Sequence, residues 1–401
     1  MREFARQAAS LFQSAAIFRL KHTIAAVLLL TWLFPSVAPF AAKPLYEFQL
    51  LDTVDRLLAG DHLQSLTHIQ QLLTDNPDSR LGYLIYADLL AAQAGLEKPV
   101  DPLADERGQA SLEHLRKQLA ERWRFNTELR AERTDLIPAT LATLDPSHPD
   151  LIFVDLPASR LYLYSYHDGE LEVTADYYAS IGHNGPGKQR EGDRKTPVGI
   201  YFITSYIPDG QLHERYGSGA LPINYPNSLD RLKQRSGYGI WLHGTEPGWV
   251  NRGPRATDGC ISLSNQDFEA LYQALRQPFA TPVIIDDQPQ WITPGVQDPQ
   301  KQELNEFSDK WHETWQLGAT TTLRSFYTNP GKSVLLDTDP ADGATRLVDT
   351  ALYSYPGEPG HMLAVLRFSG NQDHTRSVHQ FWKRQSGENW KIISETRLDP
   401  E

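Results

Sequence analysis

The chain has 401 residues, too many for one ordinary core, which points to two or three domains. Hydrophobic residues make up 40% and charged residues 22%, the balance of a folded globular protein rather than a disordered one. A formal net charge of −12, with no Lys/Arg block beyond the N-terminus, excludes a basic nucleic-acid-binding face, and a single cysteine excludes an intramolecular disulfide or a Cys-rich zinc cage.

In chain order, Arg2, Arg6, Arg19 and Lys21 precede HTIAAVLLLTWLFPSVAPFAA, which holds no acid and no Lys or Arg. A positive flank followed by an apolar run is the pattern of a secretory signal or a membrane anchor, so residues 1–42 are expected to export the chain. Residues 43–137 read as helical: LYEFQLLDTVDRLLAG and HLQSLTHIQQLLTDNP place apolar residues three and four apart and end at Gly60 and Pro77. SRLGYLIYADLLAAQAG and SLEHLRKQLAERWRF add two more helices. The first of these resemble a TPR-like hairpin, without a second copy at a fixed period. This segment carries no convergent catalytic set and is expected to serve packing or homodimer formation.

Residues 147–290 read as mainly β. LIFVDLPASRLYLYSYHDGELEVTADYYASIG alternates aromatic and β-branched residues with polar ones around a His167-Asp168-Gly169 hairpin signal. VGIYFITSYI, GYGIWLHG and PVIIDD add short strands, and QDFEALYQAL is a helix capped by Ser264 or Asn265. In residues 300–401, LNEFSDKWHETWQLGATTTLRSFYTN predicts one long helix or two, followed by four strands, an α+β cone-like pattern with Trp311, Trp315, Trp382 and Trp390 in its core. The whole reads as a multidomain α+β protein.

The chemistry gathers in HGTEPGWVNRGPRATDGCISLSN, residues 243–265, around the lone Cys260. Such a thiol is either a small buried apolar group or a nucleophile. Asp258-Gly259 favours a turn whose N–H groups can point at a carbonyl oxygen, the geometry of an oxyanion hole. His243 ends a strand, Gly244 lets the backbone turn, and an imidazole beside a thiol lowers the thiol pKa, so that a thiolate is expected near neutral pH. The 13 histidines show no HExxH or other tight metal spacing, and His374 and His379 near Asp373 read as solvated strand residues; no metal and no cofactor are expected.

His243-Gly244-Thr245, followed by Thr257-Asp258-Gly259-Cys260-Ile261 with Leu263, resembles the HG…[ST]xGC signature of the L,D-transpeptidase (YkuD-type) catalytic domain. GDRKTPVGIY at 192–201, preceded by Ser180-Ile181-Gly182, resembles that family's G-D-x-x-T-P-x-G-x-Y segment, and LPINYPNSLD at 221–230 a further one. The resemblance covers roughly residues 148–290. It implies an enzyme acting in the periplasm on bacterial peptidoglycan stem peptides. Cys260 would attack the carbonyl of meso-diaminopimelate in a tetrapeptide stem and expel D-alanine, leaving a thioester. His243 would serve as base and then acid, oriented by the Gly244 carbonyl, with the Gly259 and Cys260 N–H groups as oxyanion hole. An amine acceptor gives a 3→3 crosslink, and water gives L,D-carboxypeptidase activity. Making or cutting the link between peptidoglycan and an outer-membrane lipoprotein is the third outcome. Many members carry Arg two residues after the cysteine, where this chain has Ser262. Arg252 and Arg255 are therefore candidates for a stem carboxylate, with Tyr225, Thr257 and Ser262 as further substrate-binding residues. An export segment left uncut would hold the protein at the inner membrane. The overall layout resembles cell-shape L,D-carboxypeptidases with a nuclear-transport-factor-2-like C-terminal domain. The rival from another class, a non-catalytic wall-binding scaffold, is disfavoured by the intact His-Gly and Gly-Cys pairs.

Overall fold

The computed structural model describes residues 45–96, 106–125, 136–140, 148–167, 170–293, 299–333, 335, 345–370, 375–384 and 390–398. The expected export segment at 1–42, the Asp168-Gly169 turn and the Asp373-His374 pair lie outside them. Among the described residues no helix is long and apolar enough to cross a membrane.

Four helices open the described chain: α1 (Leu45–Leu58), α2 (His62–Asp75), α3 (Arg80–Gln93) and α4 (Glu106–Arg124). Local chemistry starts two of them, since the Asp61 carboxylate accepts from the Gln64 N–H and the Ser79 hydroxyl from the Gly82 N–H. Leu50, Val54, Ile69, Leu72, Leu81, Ile85 and Leu89 then fall on facing stripes and form one core. Leu115, Leu119 and Trp123 of α4 pack onto it.

The middle of the chain runs β1 (Ile137–Pro138), β2 (Asp150–Asp155), β3 (Arg160–His167), β4 (Glu170–Tyr178), β5 (Ile181–Gly182), β6 (Gly199–Phe202), β7 (Ile207–Pro208), β8 (Gly219–Pro222) and α5 (Ser228–Leu232). It continues through β9 (Trp241–His243), β10 (Arg255–Thr257), β11 (Ile261–Ser262), α6 (Asn265–Ala274), β12 (Pro282–Asp286) and β13 (Trp291–Ile292). A five-stranded sheet has the order β4-β3-β2-β12-β6, and a four-stranded one the order β11-β9-β8-β7. The side chain of Ser264, not of Asn265, caps α6 by accepting from the Asp267 N–H.

The five-stranded sheet is covered on both faces, which explains the unbroken apolar runs of β2 and β12. Ile152, Val154, Val283 and Ile285 face the four-stranded sheet and α6, while Leu151, Phe153 and Ile284 face the other way. There they meet Ala351, Tyr353, Leu363, Val365 and Phe381 of the C-terminal sheet. That last unit comprises α7 (Pro299–Gln316), α8 (Thr320–Arg324), β14 (Thr345–Ser354), β15 (His361–Gly370), β16 (Thr375–Arg384) and β17 (Trp390–Leu398), the strands antiparallel in sequence order. The helical stretch is thus two helices, parted at Leu317-Gly318, where Gly318 takes a φ of +62°. Trp311, Trp315, Trp382 and Trp390 are all buried between α7 and the sheet.

Charges lie buried where the helices meet the central domain. Glu47 of α1 stands 3.1 Å from an Arg122 nitrogen and 3.5 Å from an Arg160 nitrogen, and Arg160 Nε donates to Asp176 at 2.6 Å. The three side chains Glu47, Arg122 and Arg160 are each less than a tenth exposed. Taking away the shared carboxylate leaves two guanidinium groups facing one another out of water. Glu47→Gln is therefore expected to cost about 3–5 kcal/mol in urea unfolding; a loss under about 1 kcal/mol would show the cluster to be energetically idle.

Candidate active site

The site is built on the middle of the four-stranded sheet. β9 lies antiparallel to β8, with His243 opposite Ala220, and parallel to β11, with Leu242 opposite Ile261 and His243 opposite Ser262. Leu221, Leu242 and Ile261 are fully buried in the core. Alternation along a strand then turns His243 and Ser262 to the opposite face, and with them Cys260, two residues before Ser262. The parallel register thus brings the sequence-separated histidine and cysteine onto one side of one strand pair.

His243 Nδ1 is 2.6 Å from the Gly244 carbonyl oxygen. A carbonyl can only accept, so Nδ1 carries the proton and Nε2 keeps a free lone pair. The Ser262 hydroxyl donates to the same oxygen at 2.9 Å. Both lone pairs of one carbonyl are used, and its position is fixed. The Tyr216 ring stands edge-on to the imidazole, with centroids 5.0 Å apart. Burial first, and the Arg252 guanidinium second, outweigh the Gly244 bond and push the imidazole pKa down to about 3. At neutral pH His243 is an uncharged base.

Gly244 itself is required by space. A Cβ there would lie 2.1 Å from Asn265 Oδ1. That amide oxygen accepts from the Ser218 and Thr245 N–H groups at 3.0 Å each, and its nitrogen donates to the Thr245 carbonyl at 2.9 Å. Asn265 therefore ties the His-Gly-Thr segment to the start of α6. Neither this role nor that of Tyr216 has a signal in the sequence, since both depend on chain segments that meet only in the fold.

Cys260 follows a tight turn. The Thr257 hydroxyl donates to the Cys260 carbonyl at 2.7 Å and accepts from the Gly259 N–H at 3.1 Å. Gly259 takes a φ of +127°, and a Cβ there would stand 2.7 Å from the Lys195 carbonyl. The Thr196 hydroxyl holds the Gly259 carbonyl at 3.0 Å and accepts from the Gly182 N–H at 2.8 Å. Asp193, four side-chain hydrogen bonds deep, shapes the segment that delivers Thr196: it accepts from the Gln189, Arg190 and Lys195 N–H groups and from Lys188 Nζ. Burial works against its charge, yet these donors together hold the carboxyl down to about 2. GDRKTPVGIY is thus the buttress of the cysteine turn.

Several expected roles change. Gly259's N–H is spent on Thr257, so it is not free for an oxyanion. Thr257 is a buried brace of the turn, and Ser262 a buried brace of Gly244; neither lines a substrate surface. Tyr225 is 5% exposed, with its hydroxyl on the Ser236 carbonyl and its ring edge-on to Tyr201. Arg252 is buried and paired with Glu246 at 2.7 Å, whereas Arg255 is exposed. Arg215 and Arg194, also exposed, lie 3.2 and 3.7 Å from the carboxylate of Asp258, two residues before Cys260. The expectation of a standing thiolate also fails: burial pushes the Cys260 thiol up, against a Trp241 backbone hydrogen bond and the Arg252 charge. Cys260 Sγ lies 3.4 Å from the Gly239 carbonyl, which suits an S–H donor.

A neutral thiol beside a neutral imidazole makes a measurable difference. Because Cys260 is the only cysteine, alkylation by iodoacetamide reports on it alone. The rate at pH 7 is expected to fall below that of free cysteine and to climb only into the alkaline range. A plateau between pH 5 and 8 would instead reveal a preformed thiolate–imidazolium pair.

Comparison with known proteins agrees with this geometry. Residues 149–285 match the model of the YkuD family, the L,D-transpeptidase catalytic domain. Among solved structures, Bd1075 of Bdellovibrio bacteriovorus aligns with a TM-score of 0.53 at 22% identity, over 66% of this chain and 100% of that one. The helical cell shape determining protein Pgp2 of Campylobacter jejuni aligns with a TM-score of 0.50 at 21% identity, over 66% of this chain and 96% of that one. At these identities the likeness is one of fold. Comparison with curated proteins finds no match. The segment that carries Cys260 and His243 is thus the one that matches the L,D-transpeptidase catalytic domain of the YkuD family.

Proposed function

We propose that this protein is a cysteine L,D-transpeptidase of cell-wall peptidoglycan, acting on the meso-diaminopimelate–D-alanine bond of tetrapeptide stems in the periplasm. The observation that carries the reading is the locked tautomer of His243, whose bare Nε2 lies on the strand face shared with Cys260. Sulfur attacks the diaminopimelate carbonyl carbon as its proton passes to Nε2. The developing oxyanion falls to the Cys260 N–H, the donor of the expected pair that Thr257 does not occupy. The imidazolium returns the proton to the D-alanine nitrogen as the C–N bond breaks, and a thioester remains. An amine from a second stem then gives up a proton to Nε2 as it bonds to the carbonyl carbon, and the imidazolium returns that proton to the sulfur as the C–S bond breaks, which restores the neutral thiol and imidazole. Arg194 and Arg215, paired with Asp258 two residues before the thiol, and the exposed Arg255 are cations that suit the stem carboxylates.

Water in place of the amine turns the same site into an L,D-carboxypeptidase, and an amine on an outer-membrane lipoprotein would make it an attachment enzyme. The fold shared with a cell shape determining protein supports a part in wall shape. The helices and four-stranded antiparallel sheet of the C-terminal unit suit a nuclear-transport-factor-2-like accessory domain.

The full-length chain, incubated with diaminopimelate-type tetrapeptide muropeptides, is expected to release D-alanine and form 3→3 dimers by mass spectrometry. Cys260→Ala is expected to lower the rate by about 10³-fold or more. Tripeptide without dimers would replace crosslinking by trimming, and unchanged tetrapeptide would contradict both.

A further inference from the structure

The loop between His243 and Cys260 does not rest on the central domain alone. Its second half is tied to β4 and its neighbour: the Tyr178 hydroxyl donates to the Arg252 carbonyl at 3.0 Å, and the Ile181 N–H to the Pro254 carbonyl at 2.9 Å. Its first half is gripped by the N-terminal helices. The Arg80 guanidinium lies 3.6 Å over the Trp249 ring, and Val250 packs on the helical core. Arg122 donates to Asn251 Oδ1 at 3.0 Å. Gly253 approaches α4 so closely that a Cβ there would stand 2.5 Å from Gln118 Nε2.

Arg122 acts twice. Its guanidinium also lies 3.6 Å over the Tyr178 ring, the same tyrosine that holds the Arg252 carbonyl. It is itself buried and anchored on Glu47 of α1. Between the two held halves of the loop sits Arg252, paired with Glu246, whose carboxylate also accepts from the Thr245 hydroxyl at 2.9 Å. Thr245 is two residues from His243. A chain of packed and hydrogen-bonded groups therefore runs from α1 and α4 to the imidazole.

We propose that the N-terminal helices are a positioning element of the reaction centre: through Arg80 and Arg122 they clamp loop 246–254 and so keep Arg252 in place beside His243 and Cys260. The proposal rests on the reading of His243 as the catalytic base, and Arg80, Arg122, Trp249 and Tyr178 are positioning residues within it. The charged and titratable groups that act on His243 are Arg252 and Glu246 from the loop and Arg215 and Tyr216 from the turn before β8; Cys260 shares its strand face. Loosening the loop admits water and frees the Arg252 cation together with its Glu246 counterion. Burial is the largest cause of the lowered imidazole pKa and Arg252 outweighs Glu246, so the His243 midpoint is expected to rise.

The test needs no substrate. Titration of ¹³C-labelled histidines by NMR, with the His243 signal assigned by its loss in His243→Gln, reads that midpoint in the full-length protein. In the wild type His243 is expected to stay neutral down to the acid limit of folding. In Trp249→Ala and in Arg80→Ala, which remove the two partners of the stacking contact between helix and loop, it is expected to titrate within the folded range, at least about one pH unit higher. Leu366→Ala hollows the core of the C-terminal unit, which holds no residue of the loop, and serves as the control. It is expected to lower the melting temperature and leave the His243 midpoint alone. An unchanged midpoint in both clamp variants, or an equal rise in Leu366→Ala, overturns the clamp. Neither result bears on whether D-alanine is released, so the clamp and the proposed activity fail separately.

Discussion

One carbonyl oxygen organises the reaction centre. The Gly244 oxygen accepts from the imidazole of the residue before it and from Ser262 on the next strand. The first bond chooses the tautomer and thereby leaves Nε2 as the nitrogen with a lone pair; the second stops the carbonyl from swinging away. Asn265 then restrains the backbone on which that carbonyl sits, and no side chain at 244 would leave room for it. A backbone oxygen does here what a buried carboxylate does in other nucleophile–histidine pairs, and it brings no negative charge that would stabilise an imidazolium. Burial and Arg252 can therefore hold the base neutral.

The cysteine turn depends on a different kind of constraint. Its glycine takes a backbone conformation closed to other residues and lies against the Lys195 carbonyl. The Thr196 hydroxyl pins it from the other side, and Asp193 folds the segment from which Thr196 projects. Two distant sequence motifs are thus halves of one mechanical part. The thiol they present is kept protonated by burial. On the proposed reading, charge separation then arises only as sulfur meets the substrate carbonyl, which ties the reactivity of the lone thiol to a substrate already in place.

Much of this was legible in the sequence, and the limits have physical causes. His243, Gly244, Gly259 and Cys260 stood out because each needs a rare residue type at a fixed position relative to a strand end or a turn. The strands of the C-terminal sheet and the four tryptophans of its core were readable from alternation and from the size of the side chains. What failed was the direction of short polar side chains. Thr257 and Ser262, which flank the cysteine, and Tyr225, from the separate 221–230 segment and readable as structural or as substrate wall, were candidates to face substrate, yet each hydroxyl is spent on a backbone carbonyl. Whether a hydroxyl points inward depends on which carbonyl lies across the strand, and that is a property of register rather than of composition. The same holds for Asn265 and Tyr216, whose partners lie in segments far away in the chain. The sign of the thiol's pKa shift was also missed, because spacing shows the neighbouring imidazole and not the depth of burial.

The central claim is that Cys260 becomes acylated with His243 as its base. Intact-protein mass spectrometry after brief exposure to a carbapenem tests it most directly, since the acyl adduct adds the mass of the whole drug to a chain with one thiol. The account predicts a single adduct on the wild-type protein, none on Cys260→Ala, and formation slowed by about 10²-fold or more in His243→Gln. A wild-type protein that is folded and remains unmodified, or an adduct that forms equally fast without His243, would contradict it.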